Sequence, residues 1–322
     1  MSTDIEWADE SWNPIRSRLR SDPSVIGWHC EHASPGCEHC YSETRNRSGR
    51  CNMGTKLPYK PGHRKDIEVF LDDAQLLKPL RWKKGRKVFV CSMTDLFADF
   101  VPAAMIDRIF AVMALCPQHT FQVLTKRADR MRVYMKTGRH VEIQFQTRSL
   151  GLTELKRSER MRSHVHRGAL LPLPNVWLGV SVEDQKRADE RIPDLLATPA
   201  AVRWISAEPL LGPINIIDAM WARDPKQCLD ARIDLVVAGG ESGAKGRPMH
   251  PAWVRSLRDQ CKVSGTHFFF KQWGEWVTAT GQPGHLPIGH VFEDGYQMIR
   301  LGKKRAGRLL DGVEHNGMPG NV

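Results

Sequence analysis

Leu235-Val236-Val237-Ala238, followed by Gly239-Gly240-Glu241-Ser242, decides the fold. Four apolar residues in a row show no alternation, so both faces of this strand are buried, as in a parallel sheet. The run then stops at a polar, glycine-containing cluster. The pattern recurs upstream and downstream. Lys87-Val88-Phe89-Val90-Cys91 ends in Ser92-Met93-Thr94-Asp95, and Thr120-Phe121-Gln122-Val123-Leu124 ends in Thr125-Lys126-Arg127. Val176-Trp177-Leu178-Gly179-Val180 runs into Ser181-Val182-Glu183, and Val202-Arg203-Trp204-Ile205 into Ser206-Ala207-Glu208-Pro209. His267-Phe268-Phe269-Phe270 runs into Lys271-Gln272-Trp273-Gly274.

Helical spacing fills the intervals. Residues 102–115 place Ile106, Ile109, Phe110, Met113 and Ala114 on one face, with Pro102 in the first turn. Residues 184–197 align Ala188, Ile192, Leu195 and Leu196, with Pro193 as an expected break or kink. Residues 251–263 turn Trp253, Val254, Leu257 and Cys261 inward. Strand–helix alternation predicts an α/β fold with a parallel sheet. Six strands, plus a short first one expected near Ile5–Trp7, suit a parallel β/α barrel, partial or full. Ligands in such folds sit at the C-terminal strand ends, where every polar cluster lies.

Two regions interrupt the rhythm. Residues 126–167 carry twelve Lys/Arg against four acids, a net of +8, and 138–168 reads as a basic insertion or lid. Residues 277–322 read as a loop-rich extension to a barrel domain spanning 1–276. Over 322 residues, 47 Lys/Arg against 36 Asp/Glu give +11. That excess points to an anionic partner, nucleic acid first, with ordinary surface charge as the plain alternative. No run approaches the length of a membrane span, and the acidic, polar start does not resemble a secretory signal. A cytoplasmic protein with reduced thiols is expected.

Eight cysteines then need a role other than disulfides. Cys91 and Cys116 lie in apolar surroundings and read as core, and Cys228 and Cys261 also stand alone. Cys30, Cys37, Cys40 and Cys51 fall within 22 residues. Cys30, Cys37 and Cys40 form C-x6-C-x2-C, with Pro35-Gly36 turning the chain just before the second thiol. This loop, residues 28–41, reads as a metal site. Zinc would take a fourth ligand from Cys51, His29, His32 or His39. An iron–sulfur cluster would use the three thiols and leave one iron open.

A three-cysteine loop ahead of an α/β barrel resembles the radical S-adenosylmethionine superfamily. That superfamily usually spaces its cysteines by three and two residues; here the first spacer is six. The aromatic residue it often places before the third cysteine is replaced by His39, with Tyr41 just after. A closer resemblance is to an uncharacterised phage-associated family of radical-SAM-like proteins of unknown function. It is carried by Ile5-Glu6-Trp7, Trp12-Asn13-Pro14, Ser34-Pro35-Gly36-Cys37 and Cys40-Tyr41. The strand-end segments Ser92–Phe97, Gln122–Arg127, Asn175–Glu183, Glu208–Gly212, Gly239–Gly243 and Phe269–Gly274 carry it along nearly the whole chain.

The resemblance implies a 4Fe-4S cluster on Cys30, Cys37 and Cys40. Its open iron would bind the amino and carboxylate groups of S-adenosylmethionine, and an unidentified electron donor would be required. Ser92, Thr94 and Asp95 take the place of the superfamily's acceptors for the cofactor's amino group. Ser181, Glu183, Ser206, Glu208, Glu241 and Lys271 are expected to ring the barrel mouth with Asp95 and bind cofactor or substrate, or close the mouth as a salt-bridge network. Gly239 and Gly240 would let backbone approach a ligand. Thr125-Lys126-Arg127 suits phosphate or carboxylate. Trp273 and Trp276 would stack a base or cover the core. The expected substrate is a nucleic acid or nucleotide, with a small metabolite close behind. Two other readings stand beside it: a zinc-stabilised nucleic-acid-binding protein without catalysis, and a metal-dependent barrel hydrolase. The second lacks histidines at the strand ends.

Overall fold

A computed structural model describes residues 5–49, 53–155, 171–221, 232–280 and 289–320. Seven strands make one sheet in the order β1 (Glu10–Trp12), β5 (Lys87–Val90), β6 (Thr120–Thr125), β7 (Val176–Ser181), β8 (Val202–Ala207), β9 (Leu235–Gly239) and β10 (His267–Gln272). Every neighbouring pair is parallel. The sheet curls into a half-barrel, so the fold is the partial barrel rather than the full one. The first strand lies at Glu10–Trp12, not at Ile5–Trp7. Trp7 instead turns onto the sheet, edge-on to Phe89 and Trp204.

Alternation along each strand sends side chains to two cores. Val88, Val90, Phe121, Val123, Leu178, Val180, Val236 and Phe270 join the helices outside. Phe89, Trp177, Trp204, Leu235, Val237 and Phe269 fill the concave side, covered by Trp7 and, from the C-terminal tail, Met318. Gly179 makes this filling possible: a Cβ there would stand 2.4 Å from Nε1 of Trp204. That indole is fully buried and donates to the Val123 carbonyl at 3.1 Å.

The helices fall at Ala103–Leu115, Gln185–Leu196 and Pro251–Ser264. Pro193 does not end its helix. Ile192, Leu195 and Leu196 are buried on both sides of it, and that burial, at roughly 1.5–3 kcal/mol per side chain, outweighs one lost hydrogen bond. Part of the expected insertion is a helix, His140–Leu155, which buries Ile143 against the core; residues 156–168 lie outside the described residues. The C-terminal extension holds an antiparallel sheet of β11 (Trp276–Thr278), β13 (Gln297–Arg300) and β12 (His290–Val291), so it is less loop-like than its glycines suggest.

Between β1 and β5 the chain makes a long excursion. It forms a second antiparallel sheet from β2 (Ile15–Leu19), β3 (Ile26–Gly27) and β4 (Ile67–Leu71). The cysteine loop leaves β3 and leads into helix α1 (Tyr41–Ser48). This excursion brings the cysteines to the C-terminal ends of the half-barrel strands.

Candidate functional site at the half-barrel mouth

The cysteine loop is fastened to strand ends by side chains expected to bind a cofactor. After β5, the Thr94 hydroxyl donates to the His29 carbonyl at 2.8 Å. Asp95 accepts from the Thr125 hydroxyl, the Lys126 amide and the Arg127 guanidinium at 2.7, 2.9 and 3.1 Å. Arg127 in turn donates to the Glu31 carbonyl at 3.2 Å. Ser92 exchanges hydrogen bonds with Asn13, and its carbonyl accepts from Tyr41 at 2.8 Å.

After β7, fully buried Glu183 accepts the Gly36 amide at 3.1 Å and pairs with Arg191 at 3.1 Å. Lys126 lies 3.9 Å away. A Cβ on Gly36 would stand 3.2 Å from that carboxyl, so glycine permits the approach. Burial pushes the Glu183 pKa up, but Lys126, Arg191 and the hydrogen bonds outweigh it and hold the group below the usual carboxylate range. After β9, Glu241 makes a two-pronged contact with Arg247, at 2.6 and 2.7 Å. The same guanidinium reaches Glu38 and the Pro35 carbonyl, both at 3.0 Å.

The remaining expected residues sit together on the far side of the mouth. Ser181, Ser206, Gly239 and Lys271 share the concave face by alternation. Lys271 pairs with Glu208 at 2.9 Å, and Trp7 donates to the same carboxylate at 3.3 Å. Ser206 reaches it at 3.5 Å. Burial lowers the Lys271 pKa, but the charge and hydrogen bond of Glu208 outweigh it, and the ammonium stays above its ordinary value. Gly239 leaves room for this carboxylate, since a Cβ would stand 3.0 Å from Glu208 Oε1. Gly240 packs against backbone: its Cβ would lie 2.0 Å from the Trp273 carbonyl, so its role is to let the β9 and β10 loops interlock. Trp273 and Trp276 are bound by their indoles to the Leu309 and Gly246 carbonyls, which favours covering over stacking.

The thiols of Cys30, Cys37 and Cys40 are all free. Burial pushes the Cys30 thiol up to about 12, with Asp95 adding to the shift and Arg127 opposing it. Burial also raises Cys40. Cys40 lies close enough to both other thiols to share their electrostatics. The turn Pro35–Cys37 presents the second sulfur, which accepts the Ala33 amide at 3.5 Å. Among the described residues no three His, Cys, Asp or Glu side chains stand in a ready-made metal-holding group. In donor chemistry, three thiols carried on one loop, one of them accepting an amide, suit a thiolate-bound metal group, which would have to draw them together. A bound cation would offset the desolvation that raises Cys30 and Cys40. Cys51 and Cys228 lie outside the described residues, while Cys91, Cys116 and Cys261 are buried core thiols, as expected of Cys91 and Cys116.

A family model described as a protein of unknown function, DUF5131, matches residues 2–319. The chain belongs to the DUF5131 family. No curated protein and no solved structure matches it. The DUF5131 description carries no activity, cofactor or source, so it adds nothing to the radical-chemistry and phage resemblances.

Sequence reading missed three contributors to this DUF5131 site. Arg247 and Arg191 carry no motif that singles them out, although each lies within eight residues of the glutamate it pairs with. Tyr41 was noted only for its position beside Cys40. Its hydroxyl anchors on Ser92 at the mouth. Yet the residue is 56% exposed.

Proposed function

We propose that this protein is a radical S-adenosylmethionine-type enzyme, with an iron–sulfur cluster on Cys30, Cys37 and Cys40 at the mouth of the half-barrel. One observation carries the reading: the strand ends fasten the three-thiol loop above the concave face through Thr94, Arg127, Glu183 and Arg247. A loop that merely crossed the surface would not need four independent ties, all of them to its backbone carbonyls or amides. When bound, the cluster supplies a single electron to the sulfonium of S-adenosylmethionine.

The protein's own residues divide the remaining work. Asp95, Glu183 and Glu241 hold the loop and so position the thiols. Glu208 and Lys271 offer one acceptor and one donor on the concave face, suited to ribose hydroxyls or to the zwitterionic end of an amino acid. The aromatic lining below them, Trp7, Trp204 and Phe89, excludes water from the floor. A nucleic acid or nucleotide is the proposed substrate. The zinc-stabilised, non-catalytic reading shares the loop, but gives the Glu208–Lys271 pair no task.

The test is cofactor cleavage. Anaerobically purified protein given dithionite and S-adenosylmethionine should release 5′-deoxyadenosine, and Cys37→Ala should not. Absence of that product from reconstituted wild-type protein would overturn the assignment.

A further inference from the structure

The excess charge that matters is not where the sequence draws the eye. In the basic stretch beginning at 126, four of the described arginines are tied down. Arg127 pairs with Asp95, Arg132 with Asp194 and Arg139 with Asp107. Arg130 donates to the Phe97 and Val101 carbonyls. The segment leaving the cysteine loop is different. Residues 41–66 hold seven Lys/Arg against two acids, a net of +5. Both acids are engaged, Glu43 with His32 and Asp66 with His63. Arg45, Arg47, Lys56, Lys60 and Lys65 are exposed, and among the described residues none has a carboxylate partner.

The fold brings one of these cations, Lys56, to the helix that carries Arg45 and Arg47. Buried Asn46 ties α1 to the segment that follows it, through Thr55 and the Leu57 carbonyl at 2.9 and 3.1 Å. Lys56 donates its amide to the Asn46 carbonyl and is held at φ +62°, a conformation costly for lysine. Its side chain thereby lies against the C-cap of α1: a Cβ on Gly49 would be 3.6 Å from Lys56 Cε. Lys56 is thus brought to the helix turn that carries Arg45 and Arg47. At the other end of the same helix stands Tyr41, pinned by its hydroxyl to Ser92 at the mouth and open over more than half its surface.

We infer that α1 is the docking surface for a single-stranded nucleic acid. Arg45, Arg47 and Lys56 contact backbone phosphates around the helix, and Tyr41 stacks one unpaired base beside the half-barrel mouth. Unpartnered exposed cations supply the backbone term, which is independent of sequence. A held, exposed aromatic ring supplies the stacking term, which requires a base freed from a duplex. This deepens the proposed function by naming the polymer and its route to the same mouth, and it rests on that mouth being the site.

The test is fluorescence anisotropy with a fluorescein-labelled 15-nucleotide deoxythymidine strand, its duplex and heparin, without reductant or S-adenosylmethionine. Strand binding is read here without cofactor cleavage, and 5′-deoxyadenosine release is read without the strand, so the two claims fail separately. Wild type should bind the single strand in preference to the duplex, with affinity falling steeply with salt. Replacing Arg45, Arg47 and Lys56 together with alanine should reduce the salt slope by about 2, at roughly 0.7 per phosphate. Tyr41→Ala should weaken binding about 5- to 150-fold with the slope unchanged. Tyr41→Phe, which keeps the ring and loses the bond to Ser92, should retain most of the affinity. Tyr41→Leu, which keeps bulk without a π-face, should not. Failure of wild type to bind the strand at low salt would overturn the inference. So would equal binding of duplex or heparin with a neutral Tyr41→Ala, or an unchanged slope in the triple variant.

Discussion

Arg247→Ala should release the cysteine loop. The guanidinium bridges Glu241 at the end of β9 to Glu38 and the Pro35 carbonyl. The Glu241 side chain is 6% exposed, so losing its partner leaves a nearly buried carboxylate. Loss of one member of a buried pair costs about 3–5 kcal/mol when nothing replaces it. Here Glu241 keeps one donor, the backbone amide of residue 247 at 2.9 Å, and Arg247 itself is 27% exposed. Glu38 is 63% exposed and adds little. These corrections bring the expected loss to about 2–3 kcal/mol. At roughly 2.1 cal/mol/K of unfolding entropy per residue, that lowers Tm by about 3–5 °C for a chain of this size. Hydrogen exchange over residues 35–40 should quicken by about 10- to 30-fold, because the bond to the Pro35 carbonyl is lost. Thermal melts and exchange mass spectrometry on Arg247→Ala, Glu241→Gln and the double variant provide the assay. The double variant should be more stable than the summed losses by about 1–2 kcal/mol, since neither singly stranded group remains. Additive losses, or exchange unchanged over 35–40, would refute the latch.

Acid should act through Glu183. Its folded pKa is depressed, so its contribution is complete above the ordinary carboxylate value of 4.5 and fades as pH falls through the lower, folded value. The Tm of wild type should therefore drop more steeply below pH 4.5 than that of Glu183→Gln, and parallel curves would contradict this. Gly179→Ala should destabilise by about 2 kcal/mol or more, because the new methyl would displace the Trp204 indole. Chemical denaturation with tryptophan fluorescence checks it, and an unchanged midpoint would show that the concave core can yield. Restoring space with Gly179→Ala in a Trp204→Phe background should recover part of the loss.

The sheet was legible because buried parallel strands leave uninterrupted apolar runs, each closed by a polar cluster. The first strand was less so. Glu10-Ser11-Trp12 has one apolar residue and is a strand only because it pairs with Val88–Val90. The helix His140–Leu155 has no marked amphipathic face, so only its packing against Ala103–Leu115 defines it. At the mouth, the sequence singled out strand-end residues that the structure brings to the cysteine loop or to the concave face, and left their task open between ligand binding and a salt-bridge network. Asp95, Glu183 and Glu241 are acidic residues at strand ends, where ligands bind in such folds, but their links to the cysteine loop span long stretches of sequence. Gly36 and Glu183 are separated by 147 residues. No local pattern signals such a pairing. The exposed cations on α1 were hidden for another reason. A count of charge weighs paired and unpaired arginines alike, and only the structure separates Arg139 on Asp107 from Arg45 in solvent.

The central claim concerns what the three thiols hold. Protein purified and reconstituted without oxygen should be assayed for iron, acid-labile sulfide and zinc, with visible absorption recorded. The account predicts about four irons and four sulfides per chain and a broad band near roughly 400 nm, all lost in Cys37→Ala. One zinc per chain with no sulfide, or a wild-type protein that takes up no metal at all, would contradict it.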